Sequence, residues 1–209
     1  MPRLQDAGVL GPKSIVAHAV HCNAWELEIL RDTGTWITHQ PRSNMNNGVG
    51  AAPLDTMLAG DLPVCLGNDG LGNNMWAEWK TAYFLQKVAH HDPRRAPGDG
   101  IARMAWHNNA RLAARFFPGQ VFGTLAVGAA ADLIVVDYDP FTPLTAGNLP
   151  WHVVFGFEAS MVNTTIVAGR ILMQNRQLLT LDEEAINARA RAVAPDLWAR
   201  YTQIATSAR

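Results

Sequence analysis

Residues 14–18 read SIVAH, residues 35–39 read TWITH and residues 63–69 read PVCLGND. Each run is short, apolar and rich in β-forming side chains, as a strand buried on both faces should be. Each ends in a residue able to bind a metal or move a proton: His18, His39 and Asp69. Each is followed by a loop and then a helix-like stretch. The repeat is strand, loop, helix, with the reactive side chain at the carboxyl end of every strand. A parallel α/β barrel gathers its active site at those ends. The pattern predicts an enzyme.

Working outward, a helix is expected from about Ala24 to Asp32, stopped by Gly34. QPRSNMNNGVG (residues 40–50) reads as a polar loop, and Pro53 to Ala59 as a short helix. Trp76, Trp79, Ala82, Tyr83 and Val88 recur at helical spacing between Met75 and His90. HHDPRRAPGDG (residues 90–100) reads as a linker, and Ile101 to Phe116 as a helix. The texture changes at Phe117 to Gly123. Strands are then expected at Ala131–Asp139, His152–Phe157 and Met161–Asn175, the last with a hairpin turn at Ala168–Gly169–Arg170. The tail from Asp182 reads as helical and interrupted at Pro195. These readings divide the chain into βα units (1–117), a β-sandwich segment (118–180) and a helical tail (181–209).

The 209 residues are 48% hydrophobic and 17% charged, enough apolar content for a buried core. A net charge of −1 gives no electrostatic case for nucleic acid or an anionic membrane. No run reaches the length of a membrane span, and MPRLQDAGVLGPK lacks the apolar core of a secretory signal. A cytoplasmic protein is the expectation. Cys22 and Cys65 form no CxxC pair and read as reduced core thiols. A complete eight-unit barrel takes about 250 residues. Three βα units are legible here, so the fold class expected is α/β: the last part of a (β/α)8 barrel, with part of a β-sandwich.

Asp69 lies where a buried strand meets a glycine-rich loop. A carboxylate there can bind a divalent metal and accept a proton from metal-bound water. It can equally cap the following turn. His18 can act as a ligand or as an acid or base. His21, three residues on, is expected to point elsewhere. His39 could hydrogen-bond a substrate heteroatom or support a metal site. Arg42 and Ser43 read as turn residues, while Asn44 is open between turn chemistry and substrate contact. His90, His91, His107 and His152 have no convergent setting in the sequence. GNDGLGNN (residues 67–74) lacks the GK[ST] of a phosphate-binding loop.

Taken together, AHAVHCN (17–23), DTGTW (32–36), HQPRSNMNNGVGAAP (39–53) and LGNDGLGNN (66–74) followed by WAEWK resemble the amidohydrolase superfamily, in its cytosine-deaminase-like and Atz/Trz chlorohydrolase-like branch. RSNMNNGVG is further similar to SsnA-like aminohydrolases. FGTLAVGAAADLIVVDYDP (122–140) and VNTTIVAGRIL (162–172) look like that family's closing β-sandwich segments. The resemblance implies an amidohydrolase barrel with one divalent metal, zinc or iron. It implies deamination, or a related displacement, at an sp² carbon of a small nitrogen heterocycle or amidine. Asp69 would match the metal-binding, proton-shuttling aspartate of the eighth strand. His18 would match the sixth-strand histidine that polarises substrate or water, and His39 the seventh-strand histidine, with Asn44 beside it in a substrate-binding role.

The family's HxH metal pair is missing, as is its fifth-strand histidine. The ligands left are too few for a site of three protein groups and water. The expectation is therefore a barrel half that is inactive alone. Either it is completed by the missing half or by self-association, or it is a non-catalytic remnant or interaction subunit that keeps the fold.

Overall fold

Three parallel strands occupy the centre of the first half of the computed structural model, which describes residues 1–207. They are β1 (Ile15–Ala17), β2 (Trp36–His39) and β3 (Val64–Leu66), in the order β1-β2-β3. Val16 lies opposite Ile37, and Ile37 opposite Val64. β3 is buried throughout and β2 nearly so, whereas Ile15 on β1 is exposed. The three expected strands are thus present, each shorter than its run of β-forming residues.

α1 (Pro2–Asp6) precedes β1, and α2 (Ala24–Asp32) follows it with the expected bounds. Asn23 caps α2 reciprocally: its side chain accepts the Glu26 N–H, and the Glu26 carboxylate accepts the Asn23 N–H. Such a cap contributes about 1 kcal/mol. Gly34, at φ +67°, makes the turn into β2 that a side chain would resist. α4 (Leu54–Ala59) falls on the short helix expected from Pro53, and α5 (Met75–His90) where the helical spacing puts it. Leu30, Ile37, Leu54, Met57, Val64, Ile101 and Met104 are fully buried and form one cluster between strands and helices.

Two stretches differ from the sequence reading. The polar loop after β2 contains a helix, α3 (Pro41–Asn46), started by Pro41, whose fixed φ suits a first helical turn. The helix expected from Ile101 begins earlier and is not uniform. It consists of α6 (Gly98–Ala102), a π-helical stretch (Arg103–Asn108) and α7 (Asn109–Phe116).

The chain forms two compact units: residues 1–130 with 137–161, and residues 131–136 with 162–207 among those described. In the first unit, the run expected as strand His152–Phe157 is instead helix α8 (Leu149–Gly156). A short apolar run does not by itself separate a buried helix from a strand. Here Pro150 sits in the first turn, and Val153 and Val154 are buried in the core. Trp151 packs over Gly98, where a Cβ would meet the indole at 2.6 Å.

The second unit holds an antiparallel sheet of β4 (Leu133–Val136), β5 (Val162–Val167), β6 (Arg170–Gln174) and β7 (Gln177–Leu178). The hairpin turn falls where expected, with Ala168 and Gly169 both at positive φ (49° and 76°). α9 (Glu183–Ser207) runs through Pro195 without ending there, contrary to the expected break. Its side chains are nearly all exposed. Both cysteines are free. Burial pushes the Cys65 thiol up to about 12. Among the described residues, no helix is long and apolar enough to cross a membrane.

Candidate active site

Backbone torsion at the strand ends comes first. β1 stops at Ala17, and His18 and Ala19 step into the left-handed region (φ 65° and 48°). Asp69, three residues past β3, does the same (φ 64°). Non-glycine residues adopt that region at a cost and hold it where surrounding contacts enforce it. The His18 N–H is shared between the Thr38 carbonyl at 2.8 Å and Gln40 Oε1 at 3.0 Å. Gln40 Nε2 donates to Thr38 Oγ1 at 2.7 Å. Gly67 lets Gln40 lie this close, since a Cβ there would sit 3.1 Å from its amide.

The side chains then converge. His18 Nδ1 lies 2.8 Å from Asn44 Oδ1, and its Nε2 lies 3.5 Å from Asp69 Oδ2. Ser43 Oγ donates to the same Asp69 oxygen at 2.6 Å, and the Gly70 N–H donates to Asp69 Oδ1 at 2.7 Å. The Ser43 hydroxyl above all, then the Gly70 amide and His18, hold the Asp69 carboxyl below its usual range. α3 supplies both Ser43 and Asn44, so the unexpected helix places the two groups that grip Asp69 and His18.

α3 is itself pinned. Arg42 Nε donates to Glu78 Oε1 at 2.7 Å, the Arg42 N–H donates to Glu78 Oε2 at 3.2 Å, and the guanidinium also reaches the Gly72 carbonyl. Glu78 is fully buried on α5. Arg42, read from sequence as a turn residue, therefore ties α3, α5 and the turn after Asp69 together. Its partner lies 36 residues away, with no local pattern to announce it.

His39 is placed differently. Its ring is fully buried, and neither nitrogen has a hydrogen-bond partner. Burial first, and His18 second, press its pKa down to about 4, so the ring is neutral. An open cavity of about 280 Å³ beside the cluster is lined by His18, Val20, His21, Asn44, Asn47 and Val49. His21, expected to point elsewhere, shares that cavity with His18. His152, without a setting in the sequence, pairs with Tyr138 at 2.7 Å, away from this cluster in sequence and bonding.

The chemistry available is that of an ionised carboxylate, gripped by a hydroxyl and an amide, facing an imidazole across an open cavity. Residues 2–172 match the amidohydrolase family. The chain belongs to the amidohydrolase family. It is 37% identical over 201 residues to a 5'-deoxyadenosine deaminase of Methanosarcina acetivorans, covering 94% of this chain and 45% of that one. It is 34% identical over 195 residues to a 5-methylthioadenosine/S-adenosylhomocysteine deaminase of Syntrophobacter fumaroxidans, covering 91% and 44%. This amidohydrolase thus spans about half the length of the curated relatives it matches. Its fold superposes on an adenosine deaminase from Xanthomonas campestris with bound zinc (TM-score 0.81, 23% identity, 95% of this chain and 45% of that one). It also superposes on atrazine chlorohydrolase TrzN from Arthrobacter aurescens with zinc (TM-score 0.77, 22% identity, 91% and 42%). The fold is accordingly the carboxyl-terminal part of an amidohydrolase (β/α)8 barrel.

Amidohydrolases typically hold a divalent metal. Among the described residues, no three His, Cys, Asp or Glu side chains converge as a metal site would need. Asp69 and His18 together fall short of three protein ligands, so this stretch of chain does not hold the ion by itself.

Proposed function

We propose that, in the assembled protein, this amidohydrolase chain handles the proton in the hydrolytic deamination of an amino-substituted heterocycle, with an amino-purine nucleoside as substrate class. The relatives' names support that class. The observation that carries the reading is the position of Asp69, which meets His18 across 3.5 Å while Ser43 and Gly70 hold its two oxygens.

Water adds to the ring carbon that bears the amino group, the carbon–nitrogen bond breaks, and ammonia leaves. Asp69, kept ionised by Ser43, accepts the proton that water gives up and returns it to the departing nitrogen. His18, oriented through Nδ1 by Asn44, presents Nε2 to the same space, where it stabilises charge developing on the substrate. Asn44 is thereby both a positioning residue and part of the substrate cavity wall. His39 is assigned a supporting place beneath the cavity rather than a contact with substrate. Zinc, or iron, would polarise the water, with donors beyond Asp69 coming from the part of the protein outside this chain.

The test is Asp69→Asn in the complete assembly, read as kcat at matched metal content. Asn keeps the shape and cannot carry the proton, so kcat is expected to fall by about 10²–10⁴-fold. An Asn variant with near wild-type kcat at full occupancy refutes the proton-handling role.

A further inference from the structure

Gln40 stands at the start of α3, in the cap position, yet its side chain makes no bond to that helix. Side chains in this position commonly take up a first-turn N–H. Here the buried Glu78 accepts the Arg42 N–H instead. The Gln40 carboxamide turns back over the strand ends. Its Oε1 meets the His18 N–H just past β1, its Nε2 meets Thr38 Oγ1 on β2, and it lies against Gly67 just past β3. A Cβ on Gly67 would come within 3.1 Å of Nε2 and 3.6 Å of Cδ and Cγ. One amide, on a residue only 8% exposed, thus touches all three strands at their carboxyl ends.

Two bonds make Gln40 more than a spacer. Its main-chain carbonyl accepts the Asn44 N–H at 3.0 Å. Its side chain accepts the His18 N–H at 3.0 Å. His18 and Asn44 then meet each other, Nδ1 to Oδ1, at 2.8 Å. A single residue therefore holds both partners of the bond that orients the His18 ring. The His18 N–H has no need of Gln40 for satisfaction, because the Thr38 carbonyl already accepts it at 2.8 Å. What the second acceptor adds is direction. It fixes the peptide through which the chain leaves β1 into two left-handed residues, at φ 65° and 48°, a course that such residues keep only where contacts enforce it.

We infer that Gln40 is a positioning residue: its carboxamide holds His18 in the left-handed turn from which Nδ1 reaches Asn44 and Nε2 faces Asp69. Gly67 completes the device by leaving room for the amide. The positioning stands on these bonds; that it serves deamination rests on the reading above.

Nuclear magnetic resonance of the full chain tests this through the His18 Nδ1–H signal. An amide oxygen only accepts, so Nδ1 carries the proton, and its exchange with solvent reports the bond to Asn44. Gln40→Met keeps the length and removes both side-chain bonds. Gln40→Glu keeps the shape, an oxygen for the His18 N–H and a second oxygen to which the Thr38 hydroxyl can donate. Positioning predicts that Met speeds the exchange about tenfold, as the loss of one ordinary hydrogen bond would, while Glu leaves it slow. A packing role predicts the reverse order, since Met fills the space and Glu buries a charge. Gly67→Ala disturbs the same amide from the β3 side and should also speed the exchange. In Gln40→Ala, where no amide is left to meet, Gly67→Ala should change nothing. The His152 ring signal, bonded to Tyr138, serves as the folding control and should hold in every variant. Slow exchange in Gln40→Met, loss of the His18 signal in Gln40→Glu, or an unaltered signal in Gly67→Ala overturns the inference. If Gln40→Met does not fold, Gly67→Ala with and without Gln40→Ala decides. No readout needs turnover. Asp69→Asn can therefore sink the deamination reading while the positioning stands, and the reverse order among these variants can sink the positioning alone.

Discussion

The two sheets of this chain use the same strained torsion for different ends. In the parallel sheet, β2 and β3 are almost wholly buried, and His18, Ala19 and Asp69 turn left-handed just beyond strand ends. There the torsion aims side chains at one another, and four residues, two on loops and two on α3, meet within hydrogen-bond reach or close to it. In the antiparallel sheet, the strands are half-buried to exposed, and Ala168, Asn175 and Arg176 turn left-handed inside hairpins. There the torsion only reverses the chain. A positive φ thus marks a site when the residues that carry it converge from distant parts of the sequence, and a turn when it joins adjacent strands.

The strongest way to break this contrast is to release what enforces convergence. Arg42→Ala leaves the fully buried Glu78 carboxylate without its guanidinium, so it is expected to lower stability by about 3–5 kcal/mol. Denaturant unfolding measures the loss. The antiparallel sheet has no buried pair of this kind among its described residues, so no single charge removed there should match it.

Acid gives the next effect. His39 has a folded-state pKa of about 4 against an ordinary value of 6.5, so the unfolded chain binds a proton that the folded chain refuses. Its stabilising contribution is full above about pH 6.5 and is lost as pH falls towards 4. The difference corresponds to about 3 kcal/mol. Unfolding free energies across that window should show the slope in the wild type and lose it in His39→Leu. An unchanged slope in the variant would show that His39 is not the group responsible.

The smallest expected effect sharpens the other side of the contrast. Ala168→Gly relieves a left-handed alanine whose backbone N–H bond to Asp132 Oδ1, at 2.7 Å, glycine keeps. A gain of about 0.5 kcal/mol is expected, since Gly avoids the steric cost while adding some unfolded-state freedom. The readout is the midpoint of chemical unfolding. A clear loss would mean that Ala168 makes contacts which outweigh its torsion.

Much of the parallel sheet was legible because a buried strand needs a continuous apolar run, and SIVAH, TWITH and PVCL leave little else open. α5 was legible through its helical spacing and α2 through the Gly34 stop. α8 was misread because HVVFGF is apolar without a helical period; only Pro150, just upstream, signals a helix start. α3 was hidden by its polar composition, and with it the place of Ser43 beside Asp69. The π-helical stretch, and Asn108 and Asn109 with their bonds to β3, depend on contacts over 40 residues away in sequence, beyond any local pattern. Position alone put His18, Asn44 and Asp69 near strand ends; it could not say that His39 would be sealed from the cavity.

Arg42 also sets a timetable. The Glu78 anchor of α3 lies 36 residues later in the chain. At a synthesis rate of roughly 5–20 residues per second, that is a wait of about 2–7 s during which Ser43 and Asn44 have no fixed address. The emerging chain therefore carries its strand-end histidine for seconds before the partners that orient it arrive.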